Sequence, residues 1–139
     1  MHWEPMGQRL DQIVARVEDP ANPVVWLDPS TSDDLWAALP AALKERAFTV
    51  VVLEGVHDTT TLQAELAGVL GGGATMRETL ASLPRANGQQ QGWAILFRRP
   101  EALREVDEAA FEQFLETVAS VHEMHWAARR SHLKLVVTD

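Results

Sequence analysis

The stretch FTVVVL at residues 48–53 decides the fold, together with two similar runs, GWAILF at 92–97 and HLKLVV at 132–137. All three are short, rich in Val, Ile and Leu, and do not alternate between apolar and polar residues. Continuous apolar runs of this length are typical of strands buried on both faces, as in a parallel sheet. Helical patterns separate the runs, as crossovers between parallel strands require. The sequence therefore predicts an α/β fold with a small, mainly parallel sheet of three to four strands and helices packed on it.

The chain before residue 48 predicts one more helix and a strand–helix unit. Residues 6–18 predict an amphipathic helix, because apolar side chains recur there at helical spacing. The run VVWL at 24–27 predicts a strand, and Ser32 or Asp33 is expected to cap the helix that follows. Pro40 predicts a kink or a restart in that helix. This unit should add a fourth parallel strand to the sheet.

The N-terminal unit continues without a linker into the first apolar run, and a chain of 139 residues suits one buried core. We therefore expect a single domain over residues 1–139. Within it, residues 1–46 would extend a core formed by residues 47–139.

Two helices are expected between the first and second apolar runs. Asp58 or Thr59 would cap the first helix, and three glycines at 71–73 would end it. Thr75 and Glu78 match the capping box of a second, shorter helix. After the second apolar run, the pattern predicts a short helix and then a long acidic one.

Composition argues against several kinds of chemistry. Cysteine is absent, which excludes a disulfide scaffold, thiol catalysis and a zinc–thiolate site. No apolar stretch approaches the roughly 20 residues that span a bilayer, and the N-terminus shows no secretory signal, so a cytoplasmic protein without a membrane role is expected. No nucleophile elbow, catalytic triad or isolated carboxylate pair stands out. We predict that the protein is not an enzyme and carries no cofactor.

Three histidines raise the question of a metal site. His122 and His125 share a helix face, and His132 begins the nearby last strand. The first two also continue an apolar stripe, as amphipathic side chains at the end of a helix do. No third ligand lies at a recognised spacing, so no metal site is predicted. A small enzyme or metal binder built on these histidines is the third hypothesis for the function.

The net charge of −8 argues against binding to the phosphate backbone of nucleic acids and favours a basic protein as partner. Glu108, Glu112 and Glu116 repeat at i, i+4 and i+8 and so share one helix face. That face has two interpretations: a contact surface for a cationic partner, or a solvated surface that keeps the protein soluble.

The element order from residue 48 onward resembles the barstar family of ribonuclease inhibitors. FTVVVLEG followed by TTLQAELAGVL is similar to that family's first strand and helix, and GGGATMRETLASLP lies where the family has its short second helix. GWAILFRRPEAL is similar to the central strand and its exit, FEQFLETVAS to the long helix, and HLKLVV to the last strand. Residues 1–46 lie outside the resemblance. The resemblance implies a protein that binds a secreted basic ribonuclease inside the producing cell and blocks its active site with acidic side chains.

The resemblance also implies where a binding surface would lie. The family's site positions fall at Gly73 (turn glycine), Thr75 (asparagine), Arg77 and Ala81 (two aspartates), Leu80 (tryptophan) and about Thr117 (glutamate). Arg77 would repel a cationic cleft, and Ala81 offers no charge. Glu116 adjoins the glutamate position. Glu78 is the only acid in the short helix, and it also matches the glutamate of the predicted capping box. The acids that such an inhibitor uses are therefore largely replaced.

We predict a non-enzymatic inhibitor or immunity protein that resembles the barstar family, has a divergent binding helix, and binds a basic protein such as a secreted ribonuclease or another toxin. The predicted contact residues are Gly73, Thr75, Arg77, Glu78, Ala81, Glu112, Glu116 and Thr117. The alternative is a barstar-fold protein that has lost ribonuclease inhibition and binds another protein. In that case Trp26 and Trp36 of the N-terminal extension would supply a second surface.

Overall fold

The computed structural model describes residues 6–70, 76–81 and 90–138. In these ranges the elements are helices α1 (Met6–Glu18), α2 (Asp33–Glu45), α3 (Thr59–Leu70), α4 (Met76–Ala81), α5 (Glu101–Val106) and α6 (Glu108–Arg129), and strands β1 (Val24–Leu27), β2 (Phe48–Leu53), β3 (Gly92–Phe97) and β4 (His132–Thr138). The strands form one sheet in the order β1-β4-β3-β2, and each of its pairings is parallel. The predicted α/β fold with a small parallel sheet is confirmed.

Strand β1, which the sequence predicted as an additional fourth strand, forms one edge of the sheet. Strand β2, which follows it in the chain, forms the opposite edge. Strand β1 pairs with β4, with Val24 beside Leu135, while β2 forms the other edge beside β3. Helix α2 therefore connects the two edges of the sheet. From β2 onward, the strands lie side by side in chain order.

Both faces of the sheet are buried, which explains why the strands do not alternate between apolar and polar residues. One face packs against α3, α4, α5 and α6, and the other packs against α1 and α2. Successive residues of a strand point to opposite faces. In β3, Ile95 and Phe97 accordingly lie on the first face, while Ala94 and Leu96 lie on the second.

The N-terminal helices cover core residues from the rest of the chain. Leu39 and Leu43 of α2 are fully buried in one cluster with Leu96 and Val136 of the central strands. Trp36 belongs to the same cluster and is 5% exposed, so it does not supply the second surface that the sequence suggested. Trp26 is 37% exposed.

Caps fix the starts of several helices as the sequence indicates. The Ser32 hydroxyl accepts a hydrogen bond from the amide of Leu35 at 3.2 Å, so Ser32 rather than Asp33 caps α2. Asp58 rather than Thr59 caps α3, because its Oδ1 accepts from the amide of Thr61 at 2.7 Å. Each cap satisfies an amide that the first helical turn leaves without a partner.

Helix α2 continues through Pro40 to Glu45, so the predicted restart at this proline is wrong. Proline has no amide hydrogen to bond the carbonyl of Trp36, but the buried leucines of α2 hold the helix against the sheet on both sides of it. Helix α3 ends at Leu70, just before the glycines, whereas Gly73 and Thr75 lie outside the described residues. None of the helices in the described ranges combines the length and apolar character needed to cross a membrane.

Candidate functional site

Helix α4, the short helix that the resemblance assigns to binding, lies against α6. Its Leu80 is fully buried in the core. Three residues before Leu80, Arg77 Nη1 donates a hydrogen bond to Ser120 Oγ at 3.2 Å. At the end of α4, the carbonyl oxygen of Ala81 lies 3.2 Å from His125 Nε2. Polar contacts on both sides of a buried anchor therefore fix α4 on the long helix.

Two glutamates of α6 form an exposed acidic face. Glu112 and Glu116 are both exposed and lie one helical turn apart. Glu108, one turn earlier, forms a bidentate pair with Arg104, at 3.2 Å from Nε and 3.3 Å from Nη2. Within the part of the chain that the structure describes, neither Glu112 nor Glu116 has a cationic group at ion-pair distance. We call Glu112 and Glu116 the acidic face.

Arg77 lies near one end of the acidic face. Its hydrogen-bond partner Ser120 follows Glu116 by four residues, so it occupies the next turn on the same side of α6. The guanidinium of an exposed α4 residue is thereby held about one helical turn from a carboxylate. The surface around α4 and α6 consequently carries mixed charge.

The other predicted contact residues lie in different environments. Thr117 is half-buried, and its hydroxyl donates to the carbonyl oxygen of Gln113 at 2.8 Å, within the same helix. Ala81 is half-buried, and Glu78 is exposed on α4. The structure thus brings Arg77 and Ala81 onto α6 and leaves the two carboxylates of the acidic face open to solvent.

His122 and His125 are core residues bonded to the backbone. Both are buried, at 1% and 3% exposure. The amide of Leu133 can only donate, so His122 Nδ1 accepts from it at 3.1 Å, and the ring proton on Nε2 is donated to the carbonyl oxygen of Pro20 at 2.8 Å. Backbone groups thus occupy both ring nitrogens, and the ring is not placed as a metal ligand. Among the described residues, no three His, Cys, Asp or Glu side chains are grouped so as to hold a metal ion.

Sequence reasoning missed a buried polar cluster at the N-terminal end of the strands. Lys134 is fully buried, and its ammonium donates to the backbone carbonyls of Asp19 and, at 2.6 Å, Asn22. The His132 ring packs against the rings of both His122 and Trp126, with centroids 5.9 and 4.8 Å away. We call His122, His132 and Lys134 the imidazole–lysine cluster. The available signal was a lysine inside a run that otherwise reads as a buried strand.

Burial and proximity shift the ionisation of this cluster. Burial, followed by the nearby Lys134 ammonium, lowers the pKa of His132 from 6.5 to about 4. Burial is also the main cause that lowers the pKa of His122, against the opposing effect of its bond to Pro20. The pKa of Lys134 falls from 10.5 to about 8 because the side chain is buried. At neutral pH the cluster therefore holds neutral imidazoles beside an ammonium.

The C-terminal end of the strands carries a separate charged group. Arg98, just after β3, pairs with Asp33 of α2 at 2.7 Å and with Glu54 at 3.2 Å. Its guanidinium also lies over the ring of Trp36, 5.8 Å from the centroid. Arg98 lines a cavity of about 310 Å³ together with Arg99, Gly55 and Glu54. Two carboxylates already share the guanidinium, so this arrangement joins α2 to the ends of β2 and β3.

Comparisons of the chain with models of protein families, with curated proteins and with solved structures each give no match.

Proposed function

We propose that this protein is a non-enzymatic protein-binding inhibitor or immunity protein that resembles the barstar ribonuclease inhibitors and has a divergent binding helix. Its partner would be a basic protein, bound through α4 and the acidic face of α6. The acidic face carries the proposal: Glu112 and Glu116 are exposed carboxylates, without an ion pair in the described residues, on the helix that supports α4.

The arrangement of elements supports the same proposal. Helices α3 and α4 connect β2 to β3, and α5 and α6 connect β3 to β4. These three strands are neighbours in the sheet, in chain order. This is the element order on which the resemblance to barstars rests. Because one fold can serve many functions, the proposal depends on the surface and not on the order alone.

Charge is the physical basis of the expected recognition. The chain carries a net charge of −8, which attracts a cationic partner over distances comparable to the Debye length, about 10 Å at moderate salt. Among the described residues no cation pairs with the acidic face itself, and the cations near its two ends are already bonded, Arg77 to Ser120 and Arg104 to Glu108. Association should therefore weaken as salt concentration rises.

The first experiment measures binding to a barnase-type ribonuclease by calorimetry at low and high salt. The double variant Glu112→Gln/Glu116→Gln should weaken the affinity by roughly tenfold or more, since close charge pairs at an interface contribute on this scale. The control is Asp11→Asn/Glu45→Gln, which removes the same charge from exposed residues of α1 and α2 on the other face of the sheet. An equal loss in both variants would show a general charge effect and contradict binding at the acidic face.

The alternative is a barstar-fold protein that binds a different protein. It is favoured by one contact, the bond from Arg77 to Ser120, because a cation placed on the same helix as the acidic face suits a partner of mixed charge. The variant Arg77→Asp/Ala81→Asp restores acids at the two positions that the resemblance assigns to aspartates. A gain of at least about tenfold in ribonuclease affinity would support the inhibitor proposal. No detectable binding by either the parent or this variant would reject a ribonuclease as partner and leave the alternative.

A further inference from the structure

The imidazole–lysine cluster connects a surface segment, residues 19–22, to the core through hydrogen bonds. The segment 19–22 joins α1 to β1 and is exposed along its length. Its backbone carbonyls accept three hydrogen bonds from two buried side chains: Lys134 bonds Asp19 and Asn22, and His122 bonds Pro20. The side chain of Asp19 also accepts bonds within the segment, from the amide of Ala21 at 2.9 Å and the Asn22 side-chain amide at 3.2 Å. The segment is thus held as one unit on the end of the sheet.

The position of His122 makes this attachment depend on its protonation state. Its ring bridges Pro20 in the segment and Leu133 in β4, two residues on different elements. A neutral imidazole can accept on one nitrogen and donate on the other, whereas an imidazolium only donates. A proton added to Nδ1 would point at the amide hydrogen of Leu133. The bridge therefore exists only with a neutral ring.

The surroundings of the rings amplify this dependence. The groups that face them are Lys134 on β4, Glu123 and His125 on α6, Asp19 in the segment, and Arg130 over the Trp126 ring. The Lys134 ammonium opposes a positive charge on either ring, and a charge on His122 opposes one on His132. Phe48, at 5.6 Å between centroids, covers His132 with an apolar ring. His132 Nδ1 is buried without a hydrogen-bond partner among the described residues, so a proton there would also find no acceptor.

We propose that His122, His132 and Lys134 form an acid-sensitive latch, in which a neutral His122 joins the segment 19–22 to Leu133 of strand β4 and a protonated His122 loses its bond to the Leu133 amide. A charged His122 ring reaches water most readily on the side of the exposed segment, since β4 is buried throughout. The change is local, because the protonated ring still donates from Nε2 to Pro20 and Lys134 still bonds Asp19 and Asn22. The latch is independent of the partner proposed above.

Hydrogen exchange measured by NMR on the full chain tests the latch. Between about pH 7 and about pH 4.5, the Leu133 amide should lose at least about tenfold protection beyond the intrinsic pH effect, in step with the titration of the His122 ring nitrogens. The amide of Ile95, in the middle of the sheet, is the internal reference and should keep its protection. Unchanged protection of Leu133 while His122 titrates would overturn the proposal.

Two variants separate the latch from general acid sensitivity. His122→Gln retains an acceptor and a donor but cannot titrate, so its Leu133 amide should stay protected at both pH values. His57→Gln removes an exposed histidine far from the segment and should respond to acid as the parent does. A parent-like loss in His122→Gln would overturn the latch. If His122→Gln does not fold, the parent protein decides: the loss of Leu133 protection must follow the titration midpoint of the His122 ring nitrogens.

Discussion

The two ends of the parallel strands hold their positive charges in opposite ways. At the N-terminal end, Lys134 is fully buried and bonds backbone carbonyls beside neutral imidazoles. At the C-terminal end, Arg98 pairs with carboxylates of Asp33 and Glu54 whose side chains are 80% and 61% exposed. A buried cation cannot be rehydrated when a partner changes, whereas a cation in a surface pair can. The N-terminal end should therefore dominate the response of the protein to mutation and to pH.

A pair of glycine substitutions should show the largest difference between the two ends. Gly92 has φ +145°, and an added Cβ would lie 2.2 Å from the carbonyl oxygen of His132. Gly55, at the other end, has φ +73°, and no atom lies within 4 Å of the place where its added Cβ would be. Because the first site combines backbone strain with a clash against backbone, Gly92→Ala should reduce the free energy of unfolding by about 4 kcal/mol, against about 1 kcal/mol for Gly55→Ala. Urea denaturation measures both values, and similar losses would contradict a tightly closed N-terminal end.

Acid should destabilise the protein through the buried imidazoles. The pKa of His132 is about 4 in the folded chain, against 6.5 when unfolded, so between these values the unfolded chain binds more protons. The stability that the neutral ring contributes is complete above pH 6.5 and is lost as the pH falls toward 4. The loss should be on the order of 3 kcal/mol in urea denaturation across this range.

Lys134→Met separates the two causes of this acid response. Removing the ammonium should raise the folded-state pKa of both His122 and His132 toward 6.5, because Lys134 lowers both. Less stability is then lost on acidification than in the parent protein. An unchanged acid response would show that burial alone controls the rings.

Removing a carboxylate at the C-terminal end should have the smallest effect. Asp33→Asn and Glu54→Gln should each cost about 1 kcal/mol or less, because each partner of Arg98 is exposed and the other remains. The cost should shrink further at high salt, where surface pairs are screened. A loss above about 2 kcal/mol from either variant would contradict the distinction between the two ends.

Local patterns were enough to predict most of the secondary structure. The non-alternating runs at 48–53, 92–97 and 132–137 correspond to strands, and Ser32 and Asp58 act as caps. The runs at 92–97 and 132–137 are buried on both faces, whereas β2, at the edge, leaves Val52 41% exposed. The predicted restart at Pro40 is wrong because buried leucines on both sides of it outweigh the missing hydrogen bond. The prediction that Trp36 would supply a second surface is wrong, because a helix pattern does not reveal what will cover a given face.

The candidate site was predicted less completely. The four-residue spacing of the glutamates predicts that they share one face of α6. In the structure Glu112 and Glu116 are both exposed. The bond from Arg77 to Ser120 joins residues 43 positions apart, so no local pattern indicates it. Gly73 and Thr75 stay predictions, since they lie outside the described residues.

The sequence by itself determined which segments become helices and strands and that the strands are parallel and buried, because periodicity and caps act between residues close in the chain. Only the tertiary structure decided that β1 lies beside β4 and that Lys134 and the histidines are buried together. The contacts responsible join residues 102 positions apart, for His122 and Pro20, and 115 apart, for Lys134 and Asp19. A lysine or histidine in a sequence does not show whether it will be solvated, because its ionisation depends on partners that only folding brings near.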